Sequence, residues 1–126
     1  MTPKRKILVV EDETALLNVL VEWLKIEGYE GIGVATGHEA AAVARKNLPD
    51  LILLDIILPG KNGFEVMKEL SEDPKTASIP VVILTNLGDQ QERRTAMSLG
   101  AKGYLVKAEN DFVSIKKMIG QALHAV

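Results

Sequence analysis

Carboxylates dominate the residues of this chain that could do chemistry. Glu11 and Asp12 follow the apolar run Ile7-Leu8-Val9-Val10, and Asp55 follows Leu51-Ile52-Leu53-Leu54 directly. A hydroxyl, Thr85, follows Val81-Val82-Ile83-Leu84, and an ammonium, Lys107, follows Lys102 to Val106. Acids from three positions, with no imidazole or thiolate to soften the site, form an oxygen donor set suited to Mg²⁺ or Mn²⁺. Without a cation they repel one another. Such an ion keeps coordination positions for water and phosphate oxygens, as in phosphoryl-transfer sites. Asp55 is then the natural nucleophile. Lys107 can offset charge on the phosphoryl oxygens, and Thr85 can donate a hydrogen bond to one of them. Any one of these acids alone reads more simply as a helix N-cap or a solvated turn. Their joint placement after successive apolar runs does not.

The elements that must position these groups alternate along the chain. Ile7 to Val10 lacks polar alternation, as expected of a strand covered on both faces. Leu16, Leu17, Leu20, Val21 and Leu24 then recur at helical spacing, with Trp23 at the edge of the stripe and Gly28 as a stop. Gly31 to Val34 is a second strand. Thr36 with Glu39 has the form of a capping box opening a second helix through Ala40, Ala41, Val43 and Ala44, which Pro49-Asp50 ends. Leu51 to Leu54 is the most apolar run and predicts the central strand. Pro59, Gly60, Asn62 and Gly63 form a loop, and Val66, Met67 and Leu70 mark a third helix. Val81 to Leu84 is a fourth strand, about Asp89 to Leu99 a polar fourth helix capped by Gly100, and Lys102 to Val106 a fifth strand. Phe112, Ile115, Ile119 and Leu123 give the last helix its apolar stripe. Met67, Met97 and Met118 read as core fillers, and His38 and His124 as surface residues.

Five strand–helix units in succession predict an α/β fold with a parallel sheet and helices on both faces, because the crossovers share one hand. In such sheets the working crevice lies beyond the carboxyl ends of the strands. That edge is where Glu11, Asp12, Asp55, Thr85 and Lys107 fall.

Composition sets limits on partners. At 126 residues, 47% hydrophobic and 25% charged, the chain is about one domain long and has the balance of a soluble globular protein. A formal net charge of -2 supplies no field to recruit nucleic acid or anionic membrane, and Lys4-Arg5-Lys6 reads as a solvated lead-in to the first strand. Without cysteine there are no disulfides, thiolate metal sites or thiol nucleophiles. Neither a signal peptide nor a run long enough to span a bilayer is present, so a cytoplasmic protein is expected.

The sequence resembles the response-regulator receiver domain of two-component signalling over essentially its whole length. The matching pieces are Ile7 to Glu13, Leu53 to Gly63, Ile83-Leu84-Thr85 and Gly100 to Lys107. This resemblance implies a flavodoxin-like, doubly wound five-stranded parallel sheet, order 2-1-3-4-5, with five helices. It implies that Asp55 takes a phosphoryl group from a histidine kinase or histidine phosphotransferase as an acyl phosphate. Asp12, Asp55 and the backbone carbonyl of Ile57 would ligate Mg²⁺, with Glu11 acting through a water. It also supplies a switch, in which Thr85 moves toward the phosphoryl group, Tyr104 turns inward, and the surface of helix four, strand five and helix five changes for a downstream protein or output domain. A strand aromatic with its hydroxyl in water is the plainer reading of Tyr104. Residues 1–126 are read as a single receiver domain with no output domain, a signalling domain that catalyses only its own phosphorylation and dephosphorylation. It is expected as a monomer or a phosphorylation-dependent dimer, with no direct nucleic-acid or membrane partner.

Four departures from the family pattern refine this. Proline commonly follows the lysine, but here Ala108 does, and a cis bond to a non-proline residue costs roughly 2.5 to 4 kcal/mol, so a trans bond and a rearranged loop are expected. Asn86 stands where a small residue is usual and would narrow access. Ile57 and Leu87 stand where a polar side chain could orient water against the acyl phosphate, which predicts a long-lived phosphorylated form. Lys102-Gly103 replaces an acidic pair, which argues against the charge-paired dimer of winged-helix regulators. A Mg²⁺-dependent phosphohydrolase with an aspartyl nucleophile is the rival reading, but such enzymes carry a second acid two residues later, where this chain has Ile57. A nucleotide-binding module lacks its glycine-rich turn. A degenerate, scaffold-only receiver finds no positive support in a chain that keeps its acids, Thr85 and Lys107.

Overall fold

The computed structural model describes residues 3–124. Strands β1 (Lys6–Val10), β2 (Glu30–Val34), β3 (Leu51–Leu54), β4 (Val81–Thr85) and β5 (Gly103–Val106) form one parallel sheet in the order β2-β1-β3-β4-β5. Between and after them run α1 (Thr14–Ile26), α2 (Gly37–Asn47), α3 (Gly63–Glu72), α4 (Gln90–Ser98) and α5 (Phe112–His124), with a 3₁₀ turn at Lys107–Glu109. The expected doubly wound architecture and strand order are both present.

Side-chain parity along the strands divides the core in two. Leu8, Val10, Ile52, Leu54, Ile83 and Tyr104 face α2, α3 and α4, meeting Ala44, Val66, Met67 and Ala96. Ile7, Val9, Leu51, Leu53, Val82 and Leu105 face α1 and α5, meeting Leu20, Leu24, Ile115 and Ile119. Covered on both faces, these strands are apolar through their middles, and the polar groups Glu11, Asp55 and Thr85 come at their carboxyl ends, still buried.

Local chemistry sets the helix starts. Thr36 accepts the Glu39 N–H at 3.3 Å. Asn62 and Glu65 form a reciprocal capping box, so α3 begins at Gly63, earlier than its apolar residues indicated. Gly28 and Gly100 take positive φ at the ends of α1 and α4, where a Cβ would be strained. Helix α4 is the least anchored, burying Ala96 alone. Two expectations fail on this side of the molecule and the next. Met97 is 46% exposed rather than core, because the short α4 turns only one narrow edge inward. Phe112 is also 41% exposed, its ring lying 4.9 Å from that of Trp23 across α1 and α5 instead of entering the core.

Leu48 ends α2 in the left-handed region with φ 48° and half its surface in water. That conformation costs a residue bearing a Cβ about 1–2 kcal/mol, of which the looser unfolded chain of a glycine variant would take back about 0.4–1. Leu48→Gly is therefore expected to stabilise the fold by roughly 0.5–1 kcal/mol in urea unfolding.

Candidate functional site

The strand ends converge as the sequence required. Register pairs Val10 with Leu54 and Leu54 with Ile83, so Glu11 and Asp55 leave adjacent strands and Thr85 closes the next. Thr85 pairs with Val106, and Lys107 follows at once. Lys107 spans the sheet edge. Its Nζ donates to Asp55 Oδ2 at 2.8 Å and lies 2.6 Å from Glu11 Oε1, with all three side chains largely withdrawn from solvent.

Each remaining oxygen has a distinct setting. Asp55 Oδ1 accepts the Ile57 N–H at 3.0 Å, so the two oxygens of Asp55 are fixed from opposite sides. Glu11 Oε2 accepts the Glu13 N–H at 3.0 Å. Asp12 is exposed. Carboxylate oxygens of Glu11, Asp12 and Asp55 lie within 4.8 Å of one another. Three carboxylates against one ammonium leave a formal excess of two negative charges, which an oxygen-preferring divalent cation would match. The donor set therefore fits Mg²⁺ or Mn²⁺. Both oxygens of Glu11 and both of Asp55 have a protein partner, and Asp12 is the most exposed of the three acids.

Burial raises the Glu11 carboxyl above the usual carboxylate range, against the opposing pull of Lys107 and the Glu13 N–H. For Lys107, burial works to lower the ammonium, but the hydrogen bonds and charges of Asp55 and Glu11 outweigh it and hold the group above its ordinary value. Lys107 is thus a fixed cation.

The switch candidates lie to one side of this cluster. Thr85 is wholly buried and its hydroxyl accepts the Leu87 N–H at 3.4 Å; among the described residues no hydrogen bond joins it to Asp55 or Lys107. Tyr104 points inward, its hydroxyl donating to the Leu87 carbonyl at 2.6 Å rather than to water, and the Arg93 guanidinium lies 5.0 Å from the ring centroid. Burial, then the charges of Glu92 and Asp89, raise the Tyr104 hydroxyl above its ordinary value and keep it a donor. Leu87 thus bridges Thr85 and Tyr104 through its backbone, and Asn86 beside it is exposed. None of the described peptide bonds is cis, as expected for Lys107-Ala108. His38 and His124 are exposed, as read from sequence.

Residues 7–119 match the response regulator receiver domain, and the chain belongs to that family. Among curated proteins it is 41% identical over 104 residues to the probable transcriptional regulator ycf27 of Pyropia yezoensis, covering 82% of this chain and 42% of that protein. The chain spans less than half the length of this and other curated relatives it matches. The chemotaxis protein CheY4 of Vibrio cholerae superposes with a TM-score of 0.89 at 28% identity, covering 95% of this chain and 99% of that one. A receiver domain of the sensor histidine kinase PA1611 from Pseudomonas aeruginosa superposes at 0.86 with 26% identity, covering 96% and 98%, and holds a magnesium ion in its active-site cleft. Response-regulator, two-component signalling is accordingly the setting of this chain.

Sequence reasoning did not single out Gly63 as part of the site. A Cβ there would lie 2.5 Å from the Asp55 carbonyl oxygen and 2.6 Å from Ile56 Cα, both rigid backbone. Helix α3 can start this close to Asp55 only with glycine at Gly63. Gly63→Ala is expected to destabilise by about 1–3 kcal/mol in urea unfolding and to shift the Asp55 and Ile57 amide signals in NMR spectra.

Proposed function

We propose that Asp55 is the phosphoacceptor of a two-component phosphorelay, phosphorylated in a Mg²⁺-dependent step by a histidine kinase or histidine phosphotransferase. The observation that carries this is the double grip on its carboxylate, by Lys107 Nζ at 2.8 Å and the Ile57 N–H at 3.0 Å, beside the oxygens of Glu11 and Asp12. One Asp55 oxygen forms the bond to phosphorus as the donor's phosphorus–nitrogen bond breaks and its electron pair returns to the imidazole. Lys107 stays charged throughout and faces the incoming phosphoryl oxygens. Thr85 donates its hydroxyl to one of them after leaving the Leu87 N–H.

Asp12, Asp55 and the Ile57 carbonyl would hold the ion, with Glu11, bonded to Lys107 and the Glu13 N–H, acting through a water. When bound, Mg²⁺ supplies charge neutralisation among the carboxylates and orients the phosphoryl group.

The output of this reading is a population shift. Release of the Leu87 N–H by Thr85 frees Leu87, whose carbonyl holds Tyr104, and the weakly anchored α4 follows, altering the α4–β5–α5 surface for a downstream protein or output domain. The domain turns over no external substrate, acts in the cytoplasm, and touches neither nucleic acid nor membrane directly. Among the described residues, no helix is long and apolar enough to cross a membrane.

Incubation with phosphoramidate and Mg²⁺ is expected to add one phosphoryl group to the intact mass, and chelation of the metal or Asp55→Asn to abolish the gain. Multiple turnover of a phosphate ester would favour a hydrolase instead. The lifetime of the product is a separate matter. Ile57 is half exposed and apolar, and Leu87 is packed on the core, so neither side chain can orient water for attack on the acyl phosphate. The phosphorylated form is expected to outlast that of Ile57→Glu by at least about tenfold, followed by loss of the mass increment with time.

A further inference from the structure

We propose that Asn110 is a positioning residue for phosphoryl transfer, its side-chain amide fixing the turn from which Lys107 reaches Asp55. The proposal rests on the receiver reading above.

Strand β5 ends at Val106, and Lys107–Glu109 forms one 3₁₀ turn before the chain extends again at Asn110. Asn110 Nδ2 reaches back across that turn and donates to the Val106 carbonyl at 2.9 Å. The peptide immediately before Lys107 is thereby tied to the residue immediately after the turn. Ala108 and Glu109 are exposed. Alanine also leaves φ free where a proline ring would fix it. Beyond Asn110, the Asp111 carboxylate accepts the Ser114 N–H at 3.0 Å, which secures α5 but not the turn itself. Beyond the i→i+3 backbone bonds of the 3₁₀ turn itself, two side-chain restraints act on it, the ion pairs of Lys107 and the amide of Asn110.

Space beside the turn makes the second restraint matter. Asn110 borders a largely apolar pocket of about 290 Å³, whose walls include Leu16, Leu20, Leu84, Phe112 and Ile115 together with Lys107 itself. Without the amide, the turn can relax into that space, and the four-carbon stem of Lys107 can follow while keeping one carboxylate and losing the other. Asn110 touches neither the reacting atoms nor the metal ligands. It acts through the backbone that carries Lys107.

Asn110→Ala and Asn110→Gln separate positioning from simple stability. Phosphorylation by phosphoramidate at saturating Mg²⁺ is expected to slow about tenfold in Asn110→Ala, since small misplacements of a charge-bearing group cost rate steeply. Its Mg²⁺ Kd, titrated on the Asp12 amide signal, should stay within about twofold, because the metal ligands are untouched. Asn110→Gln, which keeps the donor, should recover part of the rate. Independently of activity, the Lys107 Nζ signal of Mg²⁺-free Asn110→Ala should move toward that of a solvated lysine. A wild-type Lys107 signal together with a wild-type rate in Asn110→Ala would overturn the proposal, whatever happens to Tm. Absence of any phosphorylation in the wild type would instead overturn the receiver reading, and the Lys107 signal would still decide the role of Asn110.

Discussion

One ammonium group organises this molecule. Lys107 reaches from the end of the edge strand across to Glu11 and Asp55, which immediately follow β1 and β3. Two carboxylates withdrawn from water at this separation disfavour each other's charge, and burial has already pushed Glu11 upward. Lys107 offsets that repulsion at the cost of its own desolvation, and a pair of partners makes the exchange favourable. A neutral or mobile group in its place would leave buried acids without a partner, the costly outcome for any ion pair inside a protein. The same cation that offsets the charge of the buried carboxylates is the one that meets phosphoryl charge in the proposed reaction. Stability and chemistry draw on a single contact.

The sheet supplies the rigidity this contact requires. Strands β1, β3 and β4 are buried along their whole described apolar runs, packed by α1 and α5 on one face and by α2 and α3 on the other. Interiors packed in this way hold side chains in single arrangements. Helix α4 departs from that pattern, with one buried residue and a mostly polar surface. The fold thus sets a stiff platform beside its most weakly held helix, and the Leu87 backbone lies between the two. Low local stability is what a moving element needs.

Much of this was legible in the sequence because strand ends, caps and breakers are local signals. Unbroken apolar runs marked both the strands and the polar groups that follow them, and the parallel crossover rule gathered those groups onto one edge. Thr36 with Glu39 announced α2. Asn62 with Glu65 carried the same information for α3, yet the surrounding Pro59 and Gly60 made the stretch read as loop. Other features had no sequence signature. Gly63 against the Asp55 backbone, Arg93 over the Tyr104 ring and Asn110 on the Val106 carbonyl are contacts between segments whose approach only the folded chain defines. Met97 was misjudged because side-chain type says nothing about which edge of a short polar helix turns inward.

The inward position of Tyr104 bears on how a phosphoryl group could be felt at a distance. Its hydroxyl donates to the Leu87 carbonyl and the Thr85 hydroxyl accepts the Leu87 N–H, so two successive peptide groups join the pair, the longer bond, 3.4 Å, lying at Thr85. Arg93 covers the ring from α4, adding a contact of about 0.5–1 kcal/mol for an exposed cation on an aromatic face. A ligand shifts an equilibrium only by its differential affinity for the two states. In the proposed function that difference arises at Thr85, which exchanges a long bond to Leu87 for one to a charged oxygen. A hydrogen bond to a charged acceptor contributes about 1.5–3 kcal/mol, more than the Arg93 contact alone opposes. In that reading the longer bond, nearest the chemistry, gives way first, and the shorter Tyr104–Leu87 bond keeps Tyr104 attached to the segment that Thr85 releases.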